Sequence, residues 1–362
     1  MNQVKEFEKE NLSNHTYTGS KSESQMDEER FPVDYFDLAA GTSTGGLIAL
    51  MLFRLRMKTS DAIKFYHELA AQVFSPTIWW GAFNMHKWGR LGYYIGNPWL
   101  KFKALAFPSR FSDKPLIDAI NKAINESDDP NDRENKGESR LVRDRPDKTG
   151  KMFMCATLAE EGRSLLLRSY TTLPDDDSRS EDLIFPLPSR SEDMRNITIN
   201  EAARATSAAP TYLPEVEIQG LRCWDGGLLN NNPIDQVWAA RYDLTDNPTD
   251  TPVVKCVLSI GTSFSKARKS SFLGFLNTVN TVTSFSTNTE AKHQDFARNI
   301  QRENLTRGIK TAYYRFDAET DDHAFNLDDW QQMKKLEVYT ERYLEREDVE
   351  GAIKRCAEKL AK

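Results

Sequence analysis

Residues 35–57 read YFDLAA, then GTSTGG, then LIALMLFRLRM: a short apolar run, a tight glycine-serine pattern, and an apolar stretch too long for a strand. That succession is strand, turn, helix, and the turn is Gly41-Thr42-Ser43-Thr44-Gly45, a GxSxG pattern. Joining a buried strand (Tyr35 to Ala40) to a helix opening at Gly46, such a turn holds its serine in strained backbone geometry with the hydroxyl exposed. Gly41 and Gly45 are then expected where a Cβ would clash. The orphan N–H groups and the macrodipole of the following helix favour negative charge developing beside Ser43. The same run is also compatible with a glycine-rich βα turn that binds phosphate, or that only turns.

Further strand candidates are MFMCATLA, SLLLRSYTT, VVKCVLSIGTS and TAYYRFDAE, alternating with helical segments. Their continuous apolar character predicts strands covered on both faces, as in a parallel α/β sheet. In the helix DAIKFYHELAAQVF, Ser60 is the expected cap, and Ile63, Tyr66 and Ala70 fall on one face. Residues 124–150 and 174–193 are rich in charge and read as long solvated loops. The last 25 residues, with Leu344, Val349, Ile353, Cys356 and Leu360, predict one terminal amphipathic helix. No repeat or Gly/Pro-rich hinge divides the chain. We expect one α/β domain over 33–262, a poorly ordered or helical segment before it (1–32), and a helical and strand extension of the same domain over 263–362.

Composition bears on partners and compartment. Of 362 residues, 39% are hydrophobic and 28% charged, which suits a globular chain and excludes a fibrous or fully disordered one. With 48 Lys+Arg against 54 Asp+Glu the formal charge is −6, a poor balance for general nucleic-acid binding. The four cysteines form no CxxC pair and the five histidines no cluster, so neither a disulfide framework nor a metal site is expected. The first residues, MNQVKEFEKENLSN, lack the apolar core of a secretory signal. The longest apolar run, GLIALMLF, falls well short of the roughly 20 residues that span a bilayer. These features predict a reduced, cytoplasmic protein. Residues 69–112 hold no Asp or Glu but carry Lys87, Arg90, Lys101, Lys103 and Arg110, together with Trp79, Trp80, Trp88 and Trp99. Such a stretch, densest over 74–111, suits peripheral contact with an anionic membrane surface. Packing of the same aromatics into a cap or the core is the other reading.

A serine hydroxyl needs a base to act as a nucleophile near neutrality. The second conspicuous constellation is WDGGLLNNNP, from Trp224 to Pro233, in which Asp225 is followed by Gly226 and Gly227. Two glycines after an acid mark a turn that neighbouring backbone can approach closely, although Asp-Gly-Gly alone is also an ordinary turn. Pro233 suits the first turn of the next helix, with Asn232 as its cap.

With YFDLAAGTSTGG, ARATSAAPTYLP (203–214), WDGGLLNNNP and LSIGTS in this order, the chain resembles the patatin-like phospholipases from about Val33 to about Thr262. The resemblance implies a three-layer α/β/α fold with a mainly parallel central sheet. It implies a lipid acyl hydrolase acting on phospholipids or other acyl lipids, needing no cofactor. Ser43 would be the nucleophile and Asp225 its general base, with Gly226 and Gly227 completing the dyad turn and ATSAAP supporting the site. Hydrolysis would pass through an acyl-enzyme. An unperturbed Asp titrates near ~4, so activity is expected to lack a histidine-like limb around pH ~6.5.

Members of that family also carry a glycine-rich loop ahead of the serine that supplies oxyanion donors. Residues 1–42 contain only Gly19 and Gly41, which leaves the backbone N–H of Thr44 as the donor in view. The sequence is then either N-terminally truncated or a catalytically impaired lipid-binding or interaction module. A third reading completes a Ser-Asp-His triad with His293 or His323 on an α/β-hydrolase fold. That fold needs several strands before its elbow, and about 40 residues cannot hold them.

Overall fold

The computed structural model describes residues 31–75, 77–78, 83–84, 109, 111–127, 129–143, 150–172, 196–245, 250–264, 279–321, 325 and 328–361. The chain divides into two units, residues 37–252, and residues 253–362 together with those up to 36.

In the unit of residues 37–252, β1 (Leu38–Thr42) leads into α1 (Thr44–Ala49), which continues through a π-type turn (Leu50–Arg54). Helix α2 (Thr59–Val73) follows, then a short hairpin of β2 (Thr77–Ile78) and β3 (Phe83–Asn84), α3 (Lys114–Asn125) and α4 (Pro130–Asn135). Next come β4 (Lys151–Leu158), β5 (Arg163–Arg168), α5 (Ile199–Thr206), β6 (Val216–Ile218), β7 (Leu221–Asp225), α6 (Gly227–Asn230) and α7 (Ile234–Ala240).

Strand β4 organises this unit. Its apolar run MFMCATL is buried throughout. The antiparallel strand β5 pairs with residues 153–158 along one edge of β4. Cys155 already has Leu166 on that edge and Thr42 on the other; Ala156 has Leu165 and Asp225. Hence β1 and β7 lie end to end along the same edge. Because successive side chains alternate, Met154 faces α1, where it approaches Gly46, while Phe153 and Cys155 pack with Val237 and Ala240 of α7. The two faces of the sheet thus carry different helices.

The expected α/β class holds, and the sheet is mixed: β1 runs parallel to β4, while β5 and β7 run antiparallel to it and β6 antiparallel to β7. A mainly parallel sheet is therefore not what the described residues of this unit form. An uninterrupted apolar run signals burial on both faces, which fixes no strand direction.

Two local expectations shift. Helix α2 begins at Thr59 with Lys58 as its cap, and its buried stripe is Ala62, Phe65, Leu69, Ala70 and Val73; Ile63 is 57% exposed. Within 124–150, the segment read as a solvated loop, α4 forms, and Asp129 and Asp132 are buried. Charge goes inside here because it is paired. Arg54, at the end of the π-type turn, forms a fork on the Asp132 carboxylate (2.6 and 2.9 Å) and donates to the carbonyls of Leu141 and Arg140. Arg143 donates to Asp129 at 2.9 Å. The segment 174–193 lies outside the described residues.

In the second unit, β8 (Cys256–Ile260) and β9 (Ala312–Phe316) form a parallel pair. A parallel pair needs a crossover, and α8 (Val279–Arg307) lies between them in the chain, with Phe296 4.9 Å from the Tyr313 ring. His293 Nδ1 meets the Tyr313 hydroxyl at 2.9 Å. Asp317 closes the turn after β8 by accepting the Ser263 N–H at 3.0 Å. The terminal amphipathic segment is two helices, α9 (Met333–Leu344) and α10 (Glu347–Leu360), with Arg346 in extended geometry at the break. Leu344 therefore ends α9, 43% exposed, while Val349 and Cys356 are buried on α10. Tyr35 and Phe36 pack against Ala357 and Leu360. No described helix is long and apolar enough to cross a membrane.

Candidate active site

The site forms where two strand ends meet. Thr42 pairs with Cys155 and Asp225 with Ala156, so β1 and β7, arriving from opposite directions, stop against consecutive residues of β4. Ser43 follows Thr42 directly and so falls beside Asp225. Nothing in the local sequence near either residue encodes this meeting; it comes from register on a third strand.

Ser43 sits at φ 54°, ψ −125°, a backbone region costly for a non-glycine residue and the geometry of a nucleophile elbow. The turn is tight enough that a Cβ on Gly41 would stand 2.0 Å from the carbonyl oxygen of Gly45. Gly45 itself differs from expectation: among the described residues beyond its own helix backbone, a Cβ there would have no neighbour within 4 Å. Only the first motif glycine is demanded by close approach. Gly46 is the other tight position, since its Cβ would lie 2.9 Å from Thr206 Oγ1.

The elbow is fastened on both sides. Thr42 Oγ1 donates to the Asn230 carbonyl at 2.6 Å, and the Ser43 carbonyl accepts the Leu47 N–H at 3.1 Å. The Ser43 N–H donates to Thr206 Oγ1 at 3.0 Å, and that hydroxyl donates to the Cys155 carbonyl at 2.7 Å. Since the first acceptor of α1 is Ser43, the N–H groups of Thr44, Gly45 and Gly46 have no acceptor within the helix. Ser43, Thr44 and Gly45 are half-buried, so this end of α1 is reachable. The Thr44 side chain hydrogen-bonds the Tyr66 hydroxyl, a phenol whose pKa burial raises.

Asp225 lies beneath, 5% exposed. Its N–H donates to the Ala208 carbonyl at 2.9 Å and its carbonyl accepts from Thr157 Oγ1 at 3.1 Å. The carboxylate Oδ1 accepts the Gly227 N–H at 2.7 Å. Gly226 is a close-approach glycine, because a Cβ there would fall 2.2 Å from the Cys155 carbonyl oxygen. Burial pushes the Asp225 carboxyl up to about 6, against the opposing hydrogen bonds from Gly227 and the Ser43 hydroxyl. The expectation that an Asp base would titrate far from histidine is thereby corrected: desolvation moves it into the histidine range.

A profile of the patatin-like phospholipases matches residues 29–238. The chain belongs to that family. Over 264 residues it is 26% identical to the mouse calcium-independent phospholipase A2-gamma, covering 71% of this chain and 28% of the relative. The rat protein of the same name gives 25% over the same span and shares. This patatin-like chain thus spans less than a third of the length of the curated relatives it matches.

The structure brings together Gly41, Thr42, Ser43, Thr44 and Gly45 with Asp225, Gly226 and Gly227. The sequence motif ATSAAP supplies more than a helix end: Thr206 and Ala208 bond to the backbones of Ser43 and Asp225. Thr157 and Tyr66 are legible as parts of a strand and a helix, with no signal of a place beside Asp225 or Thr44. The capping assignment moves by one residue, with Pro233 rather than Asn232 preceding α7, and Asn232 buried. His323 and the tryptophans of 74–111 lie outside the described residues.

Proposed function

We propose that this patatin-like chain hydrolyses acyl esters of phospholipids or related lipids through a Ser43–Asp225 dyad. The observation that carries this reading is the end-to-end approach of β1 and β7 on Cys155 and Ala156, which sets the Ser43 hydroxyl on the Asp225 carboxylate. In the first step Ser43 Oγ attacks the ester carbonyl and its proton passes to Asp225. Gly227 holds Oδ1, which limits how the carboxylate can turn. The carbonyl oxygen, now an oxyanion, lies toward the N-terminus of α1, where the Thr44 N–H donates. Collapse of the tetrahedral species breaks the ester C–O bond, and the departing alkoxide takes the proton from Asp225. Water then attacks the acyl-serine with Asp225 again accepting a proton, and the fatty acid leaves as Ser43 is reprotonated. A base near 6 is ionised at neutral pH yet more basic than an ordinary Asp, which suits general-base work.

The relatives are named calcium-independent, and the dyad as drawn needs no cation. Hydrolysis of a p-nitrophenyl ester and of a phospholipid should therefore survive EDTA, and should be lost in Ser43→Ala and reduced by about 10²–10⁴ in Asp225→Asn. Undiminished turnover in Ser43→Ala would overturn the dyad. A folded wild-type chain that binds lipid vesicles without hydrolysing them would instead support the non-catalytic module.

A further inference from the structure

We infer that Thr206 is a positioning residue that aims the nucleophile, by bridging the Ser43 backbone to β4; the inference rests on the dyad reading above. A serine at φ 54° keeps that conformation only if its surroundings over-determine it. Ser43 has two backbone polar groups, and its carbonyl is taken by the Leu47 N–H as in any first helical turn. Its N–H lies outside that pattern, and Thr206 Oγ1 accepts it at 3.0 Å. A hydroxyl has one proton, and Thr206 sends it to the Cys155 carbonyl at 2.7 Å, leaving a lone pair for Ser43. Both directions at the hydroxyl are therefore set. Thr206 is fully buried, and a Cβ on Gly46 would lie 2.9 Å from its Oγ1. Two residues on, Ala208 accepts the Asp225 N–H. Thr206 and Ala208, but not the Ser207 side chain between them, thus bond to the backbones of the nucleophile and of its base.

Without the Thr206 hydroxyl, the Ser43 N–H and the Cys155 carbonyl lose their shared partner and the elbow can relax from its strained φ. A displacement of about 1 Å at a reacting group can cost around 10²-fold in rate. The test compares kcat and KM of wild type, Thr206→Val, Thr206→Ser and Ser207→Ala on one ester, with folding followed by near-UV circular dichroism. Ser207 is the neighbouring control, a buried hydroxyl with no hydrogen-bond partner among the described residues. The expected result is a kcat about 10²-fold lower in Thr206→Val with KM unchanged, and Thr206→Ser and Ser207→Ala near wild type. Should Thr206→Val fail to fold, Thr206→Ala against Thr206→Ser isolates the hydroxyl in the same way. Wild-type kcat in the hydroxyl-free variant, or an equal loss in Ser207→Ala, overturns the inference. Ser43→Ala, run alongside, separates the cases: if it stays active, the dyad reading has failed and this one with it. If it is inactive while Thr206→Val is not, only the role of Thr206 is wrong.

Discussion

The Asp225 carboxylate accepts the Gly227 N–H at 2.7 Å, yet burial outweighs that bond and raises its pKa to about 6. In the proposed mechanism the ionised Asp225 is the base, so kcat/KM should fall as pH drops through about 6. Such a limb looks like histidine and must be assigned by substitution. His293→Ala should leave it in place, because His293 is engaged with the Tyr313 hydroxyl. A limb that vanishes with His293 would point to a triad.

Stability carries the opposite sign. A carboxyl raised from 3.8 to about 6 on folding stabilises the native state fully below 3.8, and that contribution is lost as pH rises through about 6. Asp225→Asn should therefore be more stable than wild type at pH 7.5 and gain little at pH 4. Urea unfolding at the two pH values reads the difference. A less stable Asn variant at pH 7.5 would contradict it.

Gly41 and Gly45 should separate cleanly. Gly41→Ala forces a Cβ to 2.0 Å from a backbone oxygen that cannot step aside, and is expected to cost about 3 kcal/mol with loss of activity. Gly45→Ala meets no neighbour among the described residues beyond its own helix and should stabilise by about 0.4–1 kcal/mol, with any kinetic effect confined to KM. Thermal melts and steady-state kinetics of the two variants decide it.

The Arg54–Asp132 pair is buried at both ends, with side chains 4% and 5% exposed. Removing one partner strands the other, so Asp132→Leu alone should cost about 3–5 kcal/mol. Replacing both, Arg54→Met with Asp132→Leu, should cost less than the two single changes summed, since no unpaired charge remains. Denaturant titrations of the four proteins test this; additive losses would show that the pair is not coupled.

For Trp79 and Trp80 the sequence offers two roles, contact with an anionic membrane surface or packing into a cap or the core, and vesicle binding separates them. Replacing both by Ala should weaken co-sedimentation with anionic vesicles while leaving neutral vesicles little affected. Unchanged binding by a folded variant would assign these side chains to packing.

Legibility in the sequence followed the range of the interactions. The elbow could be read because strand, glycine and helix are neighbours in the chain, and Gly41 shows its reason within five residues. The strands β4, β5, β8 and β9 were visible as apolar runs. Their directions were not, since burial on two faces is the same for parallel and antiparallel neighbours. The segment 124–150 looked solvated because charge is normally exposed, and nothing local reveals that Arg54 lies opposite Asp132.

By itself, then, the sequence determined a reactive-looking serine on a strained turn and an acid on a glycine-backed turn, each a property of about ten consecutive residues. Only the tertiary structure decided that they meet. It did so through the pairing of Thr42 with Cys155 and Asp225 with Ala156, contacts made across more than a hundred and across nearly seventy positions. The same packing set the pKa of Asp225 and brought Thr206 under Ser43. Desolvation and hydrogen-bond direction depend on what surrounds a group in space, and separation along the chain carries no record of that.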